Sequence, residues 1–407
     1  MTATILEARR RALVRRNTIL LVLAQGLVQV AFPVLLVVGS VEIARLAGRD
    51  AATGFLNAVY FLAAAGGAAV VGRLMDRVGR RPGLLASYAL LALAGALGAA
   101  SVLAGVWWGL LVCAVPFGIG LGGANLARGA VADMYPPERR GRAVGLVMAA
   151  GTAGAVGSPF LVAALRAVDL GVGPDVLPWS LVLLGSLGAF ACVLAVRPDP
   201  RDLAVRSENE DDPARPRLAV LGLPPVRAAI VVAAVGQMAM IGVMGVTPVA
   251  LHHREVGPTA VSTVIGVHIA GMFALSPLVG LLLDRTSHRA GLFAGGLLTL
   301  AGSLLAATEA GALVVGAGLF AIGLGWCATF LGATAVISDA TGPSERAGAL
   351  GLNDLVVSLS SAAAGLGGAL VFEGAGYRAL GLATAALVAV GLVSAARVRP
   401  APAIRGG

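Results

Sequence analysis

The residues best equipped for chemistry are gathered in one stretch, Met238 to Met272. The 407-residue chain has eight Met and four His; Met238, Met240, Met244 and Met272, with His252, His253 and His268, fall within it. Met240 and Met244 are four apart, and so are His268 and Met272. On an α-helix that spacing stacks two side chains on one face. Thioether sulfur and neutral imidazole are soft or borderline ligands; they suit Cu(I), whereas Mg²⁺ and Ca²⁺ want oxygen. A single MxxxM pair is ordinary apolar packing. The elements that carry the residues decide what the combination means.

Those elements belong in a membrane. The chain is 58% hydrophobic and 13% charged, too apolar for a soluble core of this size to hide. Apolar runs of 18 residues or more recur, each able to cross about 30 Å of hydrocarbon. We read an all-α integral membrane protein of twelve transmembrane helices, at 18–38, 52–71, 83–101, 107–131, 143–165, 179–196, 227–251, 259–282, 290–307, 312–336, 348–371 and 378–396. No cleavable secretory signal is expected, because the charged N-terminus leads into a full-length span. The net charge of +9 comes from 30 Arg and no Lys. These Arg sit at the ends of apolar runs, as topology signals and lipid contacts rather than nucleic-acid ligands. The N-terminal side collects 24 of them and the opposite side five (Arg45, Arg49, Arg166, Arg254, Arg378), which puts both termini in the cytoplasm. Cys113, Cys192 and Cys327 lie far apart inside apolar runs and form no CxxC pair, so disulfides and zinc are not expected.

The chain is doubled. GRLMDRVGRR (Gly72 to Arg81) returns as GLLLDRTSHR (Gly280 to Arg289), and DMYPPERRGRAVG (Asp133 to Gly145) returns as DATGPSERAGALG (Asp339 to Gly351), at offsets of 208 and 206 residues. We therefore expect an N-terminal six-helix half at 1–196, a flexible cytoplasmic linker at 197–226, rich in Pro and mixed charge, and a C-terminal six-helix half at 227–407. Gly72, Leu74, Asp76, Arg77, Gly79, Arg80 and Arg81 match the signature loop of the major facilitator superfamily, which the chain resembles over nearly its whole length. The resemblance implies two six-helix bundles rocking about a midplane cavity, lined by the first, fourth, seventh and tenth spans. The loop residues Gly72, Asp76, Arg77, Gly79, Arg80 and Arg81 would be gating parts. Asp76 would face a helix N-terminus, that of the eleventh span, where the dipole favours a carboxylate, and the Arg would pair with acids or lipid phosphate. The Gly-Pro signature of drug antiporters is interrupted here as Gly157-Ser158-Pro159, and Ala114 stands near where such antiporters carry Arg.

In an antiparallel hairpin of the seventh and eighth spans, turning at Arg254, Met240 and His268 should be level near the bilayer centre. Met244 would lie one turn nearer the outside and Met272 one turn nearer the cytoplasm. His252 and His253 would stand at the outer mouth and collect the ion first. MxxxM in the seventh span and HxxxM in the eighth resemble the CcoA-type (CalT) copper importers of the superfamily, and this resemblance implies copper uptake. Relatives in that branch are associated with riboflavin transport, so a small organic solute, flavin or drug-like, is the alternative cargo. Gln25, Gln29 and Gln237 are polar groups able to bond such a solute, or to bond neighbouring helices. A membrane copper sensor that moves nothing is a further alternative.

Asn57, Asn125, Arg128, Asn353 and Asp354 are other polar groups in or near spans. Arg128 is expected to pair with Asp133, and Asp354 and Glu309 are the acids to test for proton coupling. There is no GxxxxGK[ST] loop and no catalytic triad or metal-hydrolase spacing. We expect no enzyme and no cofactor, with copper as substrate. The expected setting is a secondary transporter, monomeric, in the bacterial cytoplasmic (inner) membrane, with lipid rather than nucleic acid as its surroundings.

Overall fold

A computed structural model describes residues 2–168, 171–204, 217–341 and 343–396. The described residues are helical almost throughout, as lipid requires: the hydrocarbon core offers backbone amides no water, so each must be bonded within its own helix. Among the described residues ten helices are long and apolar enough to cross a bilayer, and Trp179–Leu194 is a shorter apolar one. Leu184, Leu278 and Val390 turn outward, as side chains bathed in lipid can. The chain divides into two compact units, Met1–Ser207 and Glu208–Gly407.

In the first unit, α1 (Thr2–Gln29) runs on through α2 (Ala31–Val34) and a π-helical turn at Leu35–Gly39 into α3 (Ser40–Ala47). This rod outlasts the expected end at residue 38, because the π turn carries the chain onward without breaking it. There follow α4 (Ala52–Val78), α5 (Arg80–Leu103), α6 (Trp107–Ala124), α7 (Ala127–Asp133), α8 (Pro137–Arg166) and α9 (Trp179–Leu194). Glycines set the crossings. A Cβ on Gly154 would lie 2.1 Å from the Gly26 carbonyl oxygen, so α1 and α8 touch backbone to backbone. A Cβ on Gly118 would lie 2.4 Å from the Tyr60 carbonyl oxygen where α4 meets α6. Small residues let helices approach this closely in lipid, where apolar bulk supplies no driving force of its own.

The second unit holds α10 (Pro224–His252), α11 (Pro258–Phe273), α12 (Ser276–Arg285), α13 (His288–Ala307), α14 (Ala312–Ala340) and α15 (Pro343–Ala396). Its crossings repeat those of the first. Gly368 meets Gly242 as Gly154 meets Gly26, and Gly323 meets the His268 carbonyl as Gly118 meets that of Tyr60. His268 thus occupies the Tyr60 position of the duplicated unit. At 1.5 Å per residue the 54 residues of α15 would overrun any bilayer as one rod. Gly376, with φ 83°, breaks it into two. Both halves then lie along α10: Ser361 opposite Gln237 and Gly368 opposite Gly242 on the way up, Tyr377 opposite Thr247 at the turn, and Gly391 opposite Val235 on the way back.

The first residues of the stretch expected as a flexible linker, 197–226, are bonded to α1. Arg16 donates to the Ala195 and Arg197 carbonyls, Asn17 to that of Pro198 and Arg10 to that of Leu203. Pro200–Leu203 and Arg217–Gly222 form short 3-10 turns, and the rest of the expected linker, 205–216, lies outside the described residues.

Candidate functional site

Helix α10 presents Gln237, Met240 and Met244 at positions i, i+3 and i+7, hence on one face. Gln237 is 6% exposed, and Met240 and Met244 less still. The Gln237 amide donates to Ser361 Oγ on α15 (2.9 Å), and its oxygen accepts from the Trp326 indole N–H on α14. Trp326 stacks on Phe330 (centroids 5.2 Å apart, planes 16°) and takes Phe273 edge-on at 5.8 Å. A buried amide with both ends bonded holds this aromatic group in place.

On α11 the His268 ring is wholly buried. Its Nδ1 lies 2.6 Å from the Leu319 carbonyl oxygen of α14. A carbonyl can only accept, so Nδ1 carries the hydrogen and the neutral ring keeps its lone pair on Nε2. Nε2 is buried and has no hydrogen-bond partner among the described residues. Gly323 makes the bond possible, because a Cβ there would lie 2.5 Å from the His268 carbonyl and 3.2 Å from the Met272 nitrogen. Met272, 4% exposed, follows one turn on.

The hairpin geometry expected of the seventh and eighth spans is modified. Helix α14 packs against both α10 and α11, and these two meet over only a short stretch. The cause is steric: Gly271 and Gly323 seat α11 closely on α14, and Gly236 faces Thr329 of the same helix. His268 and Met272 therefore address α14 directly. Among the described residues no group of three or more His, Cys, Asp or Glu is placed to hold a metal ion, so a metal here would rest on methionine sulfur and His268. His252 and His253 are exposed at the end of α10, and His253 stacks on Phe372 at 6.1 Å.

The loop between α4 and α5 is built around charge. Arg80 donates Nε to Asp133 (2.9 Å) and Nη1 to Asp76 (2.8 Å). Arg81 donates to the Val193 and Leu194 carbonyls. Arg77 is exposed, and Gly72 has room beside Leu126. The free amides that open α5 are capped by Asp199, which accepts from Arg80 N (3.1 Å) and Arg81 N (2.8 Å). Arg201 ties the same segment to the Asp76 carbonyl at 2.9 Å.

The Major Facilitator Superfamily profile matches residues 17–256 and 229–406. The chain belongs to the major facilitator superfamily. It is 30% identical over 358 residues to the MFS-type transporter YdeG of Bacillus subtilis (strain 168), covering 85% of this chain and 83% of that one. It is 28% identical over 369 residues to YddS of the same organism, covering 86% and 83%. Among solved structures it resembles the D-xylose–proton symporter (TM-score 0.75, 16% identity, 94% of this chain and 98% of that one). It also resembles the human organic anion transporter MFSD10 (TM-score 0.64, 18% identity, 94% and 99%). At these identities the structures speak for the fold alone. The all-helical architecture is that of the superfamily, and the protein is a multi-pass membrane transporter.

Several polar groups of this facilitator protein sit differently from their expected places. Asp133 is held by Arg80 rather than by Arg128. Asp76, 70% exposed, pairs with Arg80 at 2.8 Å, and within the first unit Asp199 supplies a carboxylate to the N-terminus of α5. Glu309 pairs with Arg254 at 2.9 Å in a loop, with φ 56°, away from any span centre. In the first unit, Gln25 donates to Asn125 at 3.3 Å, while Gln25 Oε1 and Gln29 Oε1 are buried without partners among the described residues. Trp326, Phe330, Ser361 and the Leu319 carbonyl were not foreseen, since in the sequence they read as ordinary parts of apolar runs. Asp133 and Asp339 did carry a signal, each opening one of the repeated loops.

Proposed function

We propose that this facilitator imports copper as Cu(I), with His268, Met272, Met240 and Met244 as its soft ligands and His252 and His253 collecting the ion at the outer mouth. One observation carries the reading: a wholly buried imidazole whose Nδ1 is committed to the Leu319 carbonyl and whose Nε2 lone pair has no partner among the described residues. A buried polar atom left unsatisfied costs about 1–3 kcal/mol. A backbone carbonyl bonded to the far nitrogen is the usual way a protein orients a metal-binding histidine. Met272 supplies sulfur one turn away. The arginine asymmetry supports the reading with both termini in the cytoplasm, and the proposed setting is a bacterial inner membrane, with transport rather than covalent chemistry as the activity. The test is copper content of whole cells expressing the chain or the Met240→Leu/His268→Leu double variant. Accumulation should fall to the level of cells lacking the protein, and an unchanged content would exclude the assignment.

A second cargo, a small planar organic solute such as a flavin or drug-like compound, is favoured in the second unit by the half-buried Trp326–Phe330 stack fixed by Gln237, and separately in the first unit by the oxygens of Gln25 and Gln29, which have no partner among the described residues. In that case uptake survives Met244→Leu with His268→Leu and suffers when Gln25, Gln29 or Gln237 is changed. A sensor that binds copper without moving it would retain binding and show no internal build-up.

A further inference from the structure

The duplicated loops differ at one chemically decisive place. Aligning GRLMDRVGRR with GLLLDRTSHR puts His288 where the first unit has Arg80, and Ser287 where it has Gly79. The partners are duplicated too, since Asp133 and Asp339 open the second pair of repeated segments. The structure keeps the contact. Arg80 Nε donates to Asp133 Oδ2 at 2.9 Å, and His288 Nδ1 lies 2.7 Å from Asp339 Oδ2. Each pair clasps the first turn of one helix (α5 or α13) to the last helical turn before the next repeated loop (in α7 or α14). Arg stays charged at any physiological pH, whereas His gains or loses its charge between pH 5 and 8.

We propose that His288 and Asp339 form a proton-dependent counterpart of the Arg80–Asp133 clasp, closed when His288 is protonated and loosened as pH rises through the histidine range. The protonated ring gives a charge-assisted bond to the carboxylate, about twice as strong as a neutral one. The neutral ring keeps at most an uncharged N–H···O contact. Ser287 already caps that end, its Oγ accepting from Ala290 N at 3.0 Å, so loosening the clasp frees the end of α14 without unravelling α13. The charged groups on the surrounding elements are Arg285 on α12, Arg289 on α13, Asp339 on α14, Glu345 on α15 and Arg227 near the start of α10; Asp284 and Arg346 also belong here, their side chains outside the described residues. The first unit keeps its clasp across the same range, so the two halves of one repeat respond differently to pH.

The test is independent of cargo. Hydrogen exchange of the full-length chain in nanodiscs is followed by mass spectrometry at pH 6 and pH 8 and corrected for intrinsic rates. In the wild type, exchange in 335–341 should rise several-fold at pH 8, while 288–294 and 80–86 should not change. His288→Arg should be protected at both pH values and His288→Gln at neither, with Asp339→Asn matching His288→Gln. A wild type with equal corrected rates at both pH values overturns the proposal, and so does a His288→Gln or His288→Arg variant that keeps the wild-type pH response.

Discussion

The carboxylate of Asp199 lies where a side chain at residue 79 would otherwise sit: a Cβ on Gly79 would be 2.7 Å from Asp199 Oδ2. Gly79 also has φ 110°, a conformation that side-chain-bearing residues avoid. The first unit thus leaves the start of its α5 bare and caps it from a segment 119 residues further on, whereas the second unit caps α13 with Ser287 in place. Asp199→Ala should cost about 1 kcal/mol, the usual value of an N-cap. Gly79→Ala should cost more, because it adds backbone strain to the lost cap. Thermal unfolding in detergent, with exchange at 80–86, measures both. An Asp199→Ala protein as stable as wild type would remove the cap from the account.

His268 depends on a glycine in another helix. Gly323→Ala would push α14 away from α11, since the new Cβ would meet the His268 carbonyl at 2.5 Å. The His268–Leu319 bond should break, at a cost of about 1–3 kcal/mol for overpacking, and copper accumulation should fall with it. Gly316→Ala is the matched control, its Cβ meeting Val264 at an ordinary 3.5 Å. Equal tolerance of the two substitutions would contradict the close approach.

Asp175, in the loop between α8 and α9, is pushed up from 3.8 to about 6. Burial is the largest cause; Arg166, at 2.7 Å, pulls it down, Glu42 pushes it up, and Arg45 pulls it down. For an acid raised in this way the folded state holds its proton longer than the unfolded chain does. Its contribution to stability is full below the unfolded value and is lost as pH rises from about 4 through 6, at no more than about 1.4 kcal/mol per pH unit. Asp175→Asn should flatten this slope, visible as the difference between the thermal-stability profiles of the two proteins over pH 4–7. Parallel profiles would contradict the assignment.

The membrane-crossing helices were legible in the sequence because length and apolarity alone define a span. The repeated loops were legible because their charges are spaced identically in each half. Other features depend on partners far away in the chain. Asp199 reads as part of a charged linker until Arg80 and Arg81 are seen to donate to it. Trp326 and Ser361 read as apolar filler until Gln237 is found between them. The position of His268 depends on the close seating of α11 on α14, and the glycines responsible, Gly271 and Gly323, resemble the many other glycines of these helices.

The central claim is that His268 and its methionines pass copper across the bilayer. The direct measurement is entry of Cu(I), kept reduced, into proteoliposomes that hold a Cu(I)-sensitive dye, with the purified full-length chain in the membrane. The wild type should give a time-dependent internal signal, and His268→Leu should lower the rate at least tenfold while the protein remains folded. A wild-type signal no faster than that of empty liposomes, or an undiminished rate in His268→Leu, would contradict the account.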